Sequence, residues 1–266
     1  MAPDRAADLA LLSAAATEAG ALALSFFRRE QRVWAKGDSS VVGEADIAVD
    51  RRLKELLSAA RPDYGWLSEE TADTPDRLGR ARVFVVDPID GTRAFIAGRD
   101  EWAVSLAVVE NGRPAVAVLA LPALGLLFHA VLGAGAFRGG EQLAASDVVR
   151  LADARFASSR RYARAAAVAA GRDSVDFRYI PSLAYRLALV AAGSIDVAIA
   201  RPNARDWDLA AADLLVHEAG ARLTDLSGRR LDYSRAEAIH PALVATTPAL
   251  FGAVVDLVRE VDGRGG

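Results

Sequence analysis

Residues 83–92, V-F-V-V-D-P-I-D-G-T, constrain this chain more than any other stretch. Val83 to Val86 is a short run of β-branched and aromatic residues, the pattern of a buried strand. It ends in two carboxylates, Asp87 and Asp90, with Pro88 between them. Proline fixes its own φ and biases the preceding residue toward extended backbone, so the spacing predicts a turn just past Val86. Gly91 lets backbone approach a ligand closely, and Thr92 puts a hydroxyl where a helix or turn begins. Two carboxylates at the rim of a buried strand repel unless a cation lies between them, and an all-oxygen donor set suits a hard ion such as Mg²⁺. N–H groups at Gly91 and Thr92 suit an anion. The stretch therefore predicts a metal and a phosphate held side by side.

Holding such a rim rigid takes a substantial core. The chain has 266 residues, 52% hydrophobic and 25% charged, enough for one large domain or two closely packed halves. A net charge of −3 offers no basic field for a nucleic-acid polymer or a membrane surface. The absence of cysteine excludes disulfides, thiolate metal sites and a cysteine nucleophile. His129, His217 and His240 are too scattered for a zinc motif, and His217 reads as a packing or surface residue. The N-terminal residues lack the charged-then-apolar order of a signal peptide, and no unbroken run of 18 apolar residues occurs. A cytoplasmic enzyme is the expectation.

Apolar residues at helical spacing predict a helix over Asp8–Arg29 and a second from about Glu44 to Ala60, with a polar turn at Lys36–Ser40 between them. Tyr64–Leu67 reads as a strand that delivers Ser68-Glu69-Glu70, and residues 71–80 as a mobile surface loop. Trp102–Val109, Arg113–Leu121 and Gly125–Leu132 read as an antiparallel meander, with Asn111-Gly112 as a tight hairpin turn. The glycines from Gly133 to Gly139 have the wrong spacing for a dinucleotide loop and read as a plain turn. Phe84, Trp102 and Phe128 read as core. From about Val148, strand and helix alternate: strands at 155–158, 175–180, 195–200, 222–225 and 242–245, with helices at 163–170, 183–192, 206–219 and 248–260. The fold class predicted is α/β, in two halves. Residues 1–140 form an α+β half with an antiparallel sheet and residues 141–266 an α/β half, fused as one unit.

Four acids recur at strand ends or at a helix start: Glu69, Asp87, Asp90 and Asp208. Asp208, in Asp206-Trp207-Asp208-Leu209-Ala210-Ala211, also fits a simple helix N-terminal acid. Metals bridged by such carboxylates can activate water and steady the leaving oxygen of a phosphate ester without a protein nucleophile. The string Glu69-Glu70, Asp87-Pro-Ile-Asp-Gly-Thr92 with Phe95, and Trp207-Asp208-x-Ala-Ala211 through Glu218-Ala219-Gly220 resembles the inositol monophosphatase superfamily, in order and over nearly the whole chain. The resemblance implies a layered αβαβα sandwich, Mg²⁺ dependence, lithium sensitivity and a homodimer. It implies that Glu69, Asp87, the Ile89 carbonyl, Asp90 and Asp208 hold two or three Mg²⁺ ions. It further implies that Thr92, hydrogen-bonded to Asp46 and assisted by Glu69, activates the attacking water, and that the Gly91 and Thr92 N–H groups bind the phosphate. The chain departs from the family at Ser40-Val41-Val42-Gly43-Glu44-Ala45-Asp46, where Ser-Pro-Val-Thr-x-x-Asp is common, and at Ala221 in place of a glycine.

The resemblance implies a small-molecule phosphate ester as the substrate. Inositol phosphatases usually carry a glutamate seven residues before the aspartate matched by Asp208, and here that position is Arg201. A cation there prefers extra negative charge on the substrate. Ser182-Leu-Ala-Tyr-Arg186 resembles the Gly-Ser-Ser-Leu-Lys stretch of 3′(2′),5′-bisphosphate nucleotidases, and Leu67–Glu70 and Gly98–Trp102 lean the same way. Ser182, Arg186 and Arg201 are thus substrate candidates, although either arginine equally fits a surface or ion-pair role. The expected reaction converts adenosine 3′,5′-bisphosphate to AMP and phosphate, with inositol-1-phosphate and histidinol phosphate as rivals. The latter branch too can spell Asp-Pro-x-Asp-Gly-Thr-Arg. A haloacid-dehalogenase phosphatase would show D-x-D-x-T, one residue shorter between its aspartates. A non-catalytic relative would be expected to lack a metal ligand.

Overall fold

The computed structural model describes residues 3–36 and 40–263; the polar turn expected around residues 37–39 lies outside them. The chain opens with helix α1 (Pro3–Phe26), a hairpin β1 (Val33–Lys36) and β2 (Ser40–Gly43), and helix α2 (Glu44–Ala60). A seven-stranded sheet follows: β3 (Gly65–Ser68), β4 (Arg82–Asp90), β5 (Ala103–Glu110), β6 (Arg113–Leu121), β7 (Leu126–Val131), β8 (Ala136–Arg138) and β9 (Glu141–Gln142), in that spatial order, with short α3 (Thr92–Ile96) after β4. The chain then runs through β10 (Arg155–Ala157), α4 (Arg160–Ala169), β11 (Asp176–Arg178), α5 (Leu183–Ala191), β12 (Val197–Ala200), β13 (Ala204–Arg205), α6 (Asp206–Glu218), β14 (Arg222–Asp225), β15 (Ile239–His240), β16 (Leu243–Thr246) and α7 (Phe251–Gly263). A second sheet has the order β11-β10-β12-β16-β14.

Alternation along each strand explains the layering. In β5, Val104, Leu106 and Val108 pack against α1 and α2, whereas Ala103, Ala107 and Val109 face α5 and α6. Both faces are dry, so the sequence reads as a continuous apolar run. The second sheet repeats the device: Ala157, Ala198 and Ala245 join the middle helices, while Phe156, Val197 and Val244 face α4 and α7. The result is a layered αβαβα sandwich, with α5 and α6 buried between the sheets.

Helix α1 is long and apolar enough to cross a membrane by length and composition, yet Leu12, Ala16, Ala19 and Ala23 are fully buried against the sheet. The turn Asn111-Gly112 has φ of 50° and 75°, the left-handed pair a tight hairpin requires. Phe84, Trp102 and Phe128 lie in the core as expected. Three local expectations change. Strands β3 and β4 are parallel, so the first sheet is mixed. Within residues 71–80, Pro75–Gly79 forms a 3₁₀ turn pinned by buried Arg77, which pairs with Asp73 at 2.6 Å and donates to the Arg235 carbonyl at 2.8 Å. The glycine stretch after β7 also contributes strand β8, which pairs back onto β7.

Candidate active site

Strand β4 does not turn after Val86. It continues to Asp90 through a bulge: Asp87 pairs with Ser105 and Asp90 with Ala103, so one extra residue lies on the β4 side. Pro88 has no N–H for the ladder, and a bulge is where a strand accommodates that. The extra residue brings Asp87 and Asp90, three apart, onto the same side. Asp87 accepts the Ile89 N–H at 3.0 Å. Asp90 accepts the Ser182 hydroxyl and the Ala184 N–H, the latter at 2.7 Å, at the start of α5.

The other two aspartates share one local device. Asp46 and Asp208 are each the third residue of a helix, and each caps its own helix start. Asp46 accepts the Gly43 N–H at 2.8 Å, and Asp208 accepts the Arg205 N–H at 2.7 Å. One oxygen of each is thereby oriented by backbone. Gly43, which stands where the family often has threonine, fits closely: a Cβ there would meet Gln31 Oε1 at 2.8 Å. Asp46 keeps its Gly43 bond with the altered loop, and its second oxygen accepts the Thr92 hydroxyl at 3.0 Å. Thr92 Oγ1 also lies 3.1 Å from the Ile89 carbonyl. Glu69 follows the parallel β3, donating its N–H to the Val86 carbonyl at 3.3 Å, next to Asp87.

Asp87, Asp90 and Asp208 each offer a carboxylate oxygen within 4.8 Å of the others. Asp87 and Asp90 are buried and Asp208 half-buried. Burial, then Glu69, Asp90, Asp208 and Asp46, push the Asp87 carboxyl well above its ordinary range. Burial, then Asp90, raise Asp208 to about 7. Burial raises Asp46 to about 6, against the opposing Gly43 and Thr92 hydrogen bonds. Converging buried carboxylates of one sign must either protonate or take up a cation, and an all-oxygen donor set fits Mg²⁺. Gly91 is left-handed at φ 95°, and an added Cβ would lie 3.2 Å from the Glu101 carbonyl. The first N–H that α3 satisfies is that of Ala94, leaving those of Gly91 and Thr92 at its open end beside the acids.

The inositol monophosphatase family matches residues 4–261. The chain belongs to this family. It is 37% identical over 234 residues to a histidinol-phosphatase of Mycobacterium tuberculosis, spanning 83% of this chain and 88% of that protein. It is 30% identical to a 3′(2′),5′-bisphosphate nucleotidase CysQ of Aggregatibacter actinomycetemcomitans, over 86% and 88% of the two chains. A solved Thermotoga maritima IMPase superposes with a TM-score of 0.85 at 27% identity, over 97% of this chain and 98% of that one. Inositol monophosphatase family members are phosphatases, hydrolases of small phosphate esters that depend on Mg²⁺, and the acidic cluster fits that ion.

The substrate candidates divide. Ser182 spends its hydroxyl on Asp90 and also caps α5, accepting the Tyr185 N–H at 3.0 Å. Arg186 is largely enclosed, donates to the Ile199 carbonyl at 3.2 Å, and has its pKa lowered by burial against the opposing charge of Asp90. Ser182 thus contacts Asp90 directly, and Arg186 lies near enough for the two charges to interact. Arg201 is exposed, close enough to Arg186 for their charges to interact. Exposed Arg205 adjoins Asp208, with its guanidinium 5.8 Å from the Trp207 ring centre. Sequence reasoning passed over Asp50, Asp206 and His240. Asp50 was legible as the i+4 neighbour of Asp46. The buried pair Asp206–His240, 2.7 Å apart beside Asp208, joins residues distant in sequence and gave no local signal.

Proposed function

We propose that the chain is a Mg²⁺-dependent phosphomonoesterase that removes phosphate from a substrate carrying a second anionic group, with adenosine 3′,5′-bisphosphate the first choice. The arginine rim carries this reading. Arg205 adjoins Asp208, and exposed Arg201, whose charge reaches Arg186, stands where inositol phosphatases usually place a glutamate; a substrate that meets both guanidinium groups would favour a second phosphate. Histidinol phosphate, whose alcohol portion carries an ammonium, suits such a rim less well. It remains the second reading because of the Mycobacterium tuberculosis relative.

Asp87, Asp90, Asp208, Glu69 and the Ile89 carbonyl would hold the metal, two or three ions in all. Bound Mg²⁺ supplies a Lewis acid for the phosphoryl oxygens and a lowered water pKa. The rest is done by this chain's own groups. The Gly91 and Thr92 N–H groups orient the phosphate. Asp46 takes the Thr92 hydroxyl hydrogen, turning that oxygen's lone pair toward water, and Glu69 accepts the water's proton. Ser182 and Arg186 act by fixing Asp90, while Arg201 faces substrate. The first half, residues 1–140, would carry most metal ligands, and residues 141–266 Asp208 and the arginines. We further propose a cytoplasmic, lithium-sensitive homodimer, which light scattering with size-exclusion chromatography and Li⁺ titration would test.

The deciding assay is kcat/KM with Mg²⁺ for adenosine 3′,5′-bisphosphate, histidinol phosphate and inositol-1-phosphate. The bisphosphate should lead by about tenfold or more, and Arg201→Ala should cost it more than the simpler esters. A lead for either rival overturns the nucleotide reading, and a lead for histidinol phosphate installs the second one.

A further inference from the structure

We propose that Asp50 is a positioning residue for the metal site, fixing the turn that carries Glu69 from the helix that also orients Thr92. The inference rests on the Mg²⁺-site reading above and adds a residue to it. Asp50 is one helical turn beyond Asp46 on α2, and both carboxylates are buried, at 6% and 1% exposed. Each oxygen of Asp50 is committed to a hydroxyl of the 68–71 turn. Ser68 Oγ donates to one, and Thr71 Oγ1 donates to the other at 2.6 Å. Ser68 is itself buried, and its oxygen lies 3.4 Å from the Glu70 N–H. Glu69 is thus bracketed: the residue before it and the second residue after it are tied to the same carboxylate. Its own N–H is tied to the Val86 carbonyl, immediately before Asp87.

The chemistry of α2 makes a merely structural role expensive. Two carboxylates at i and i+4 on one buried helix face repel, and neither is there to be solvated. The arrangement is explained if the helix is a bar from which both halves of the site hang: Thr92 from Asp46 and the Glu69 turn from Asp50. Hydrogen bonds that orient metal-binding side chains from behind commonly change metal affinity or activity 10–100-fold when removed.

The test uses the full chain and reads metal binding apart from turnover. Mn²⁺, which accepts the same oxygen donors, is titrated into substrate-free protein while free Mn²⁺ is counted by electron paramagnetic resonance. Asp50→Ala should weaken Mn²⁺ binding about 10–100-fold and raise the Mg²⁺ needed for half-maximal phosphatase rate similarly. Substrate KM at saturating Mg²⁺ should move less than about twofold, a split a general loosening of the fold would not give. Thr71→Val should show a smaller shift of the same kind, and Thr71→Ser should restore binding. A lowered Tm for Asp50→Ala with Mn²⁺ affinity unchanged overturns the proposal. If Asp50→Ala does not fold, Ser68→Ala and Thr71→Val decide it: unchanged Mn²⁺ affinity in both overturns it equally. Wild-type protein that binds Mn²⁺ but hydrolyses no phosphate ester sinks the phosphatase reading alone; wild-type protein that binds no Mn²⁺ sinks both.

Discussion

At the scale of single residues, the site depends on atoms whose replacements are nearly isosteric. Thr92→Val keeps the volume and removes the hydroxyl that Asp46 accepts at 3.0 Å. General-base positioning of this kind contributes about 10²–10⁴-fold, so kcat should fall by that order while KM moves little. Activity within a few-fold of wild type would remove Thr92 from the reaction. Gly91→Ala acts differently. At φ 95° a side chain costs about 1–2 kcal/mol, and its Cβ would crowd the Glu101 carbonyl. The variant should lose that stability in urea unfolding and lose kcat/KM as well, because the N–H groups beside it turn away. The acids were legible because Asp87, Asp90 and Asp208 sit at predicted element ends. The sequence places Ser182 and Arg186 near the site but does not show that both also interact with Asp90.

At the scale of elements, strong periodicity carried the reading. Helix α2 and strands β6 and β14 fall at their expected bounds. The bounds fail where pairing is short or the partner is remote. Strands β13 and β15 pair over two residues each, and their partners are separated by all of α6 and β14. The hairpin of β1 and β2 exposes Val33 and Trp34 and buries Val42, too little of one face to set an alternating pattern. The parallel pairing of β3 with β4 could not be read from either strand, since both parallel and antiparallel neighbours leave a buried apolar run. A packing test belongs here. Gly20 lies where α1 meets the Pro122 ring, and a Cβ would sit 2.7 Å from Pro122 Cγ. Alanine gains about 1 kcal/mol of helix propensity over glycine, but overpacking a rigid neighbour costs about 1–3 kcal/mol. The clash should win, so Gly20→Ala should lower the urea midpoint; a raised midpoint would show that α1 slides freely on the sheet.

Across the whole molecule, the concentration of like charge at one rim makes stability depend on pH and metal together. Asp46 and Asp208 titrate in the folded protein at about 6 and about 7, above the ordinary 3.8. The folded state thus holds their protons more tightly than the unfolded chain does. The resulting stability is complete below pH 3.8 and is lost as pH rises through about 6 and about 7. Asp225 has the opposite sign. The Ser227 and Arg229 hydrogen bonds outweigh its burial and hold it at about 2, so its contribution is intact in this window and fails only in stronger acid. Metal-free protein should therefore lose Tm between about pH 5 and pH 8. Mg²⁺ replaces the missing protons where they have left, so saturating Mg²⁺ should raise Tm far more at pH 8 than at pH 5. Asp208→Asn should flatten the metal-free profile and shrink the Mg²⁺ increment at pH 8, because it removes the charge that needs compensation without removing the helix. Scanning calorimetry across that range checks both. An Mg²⁺ increment equal at the two pH values would mean that these carboxylates are not where the ion binds.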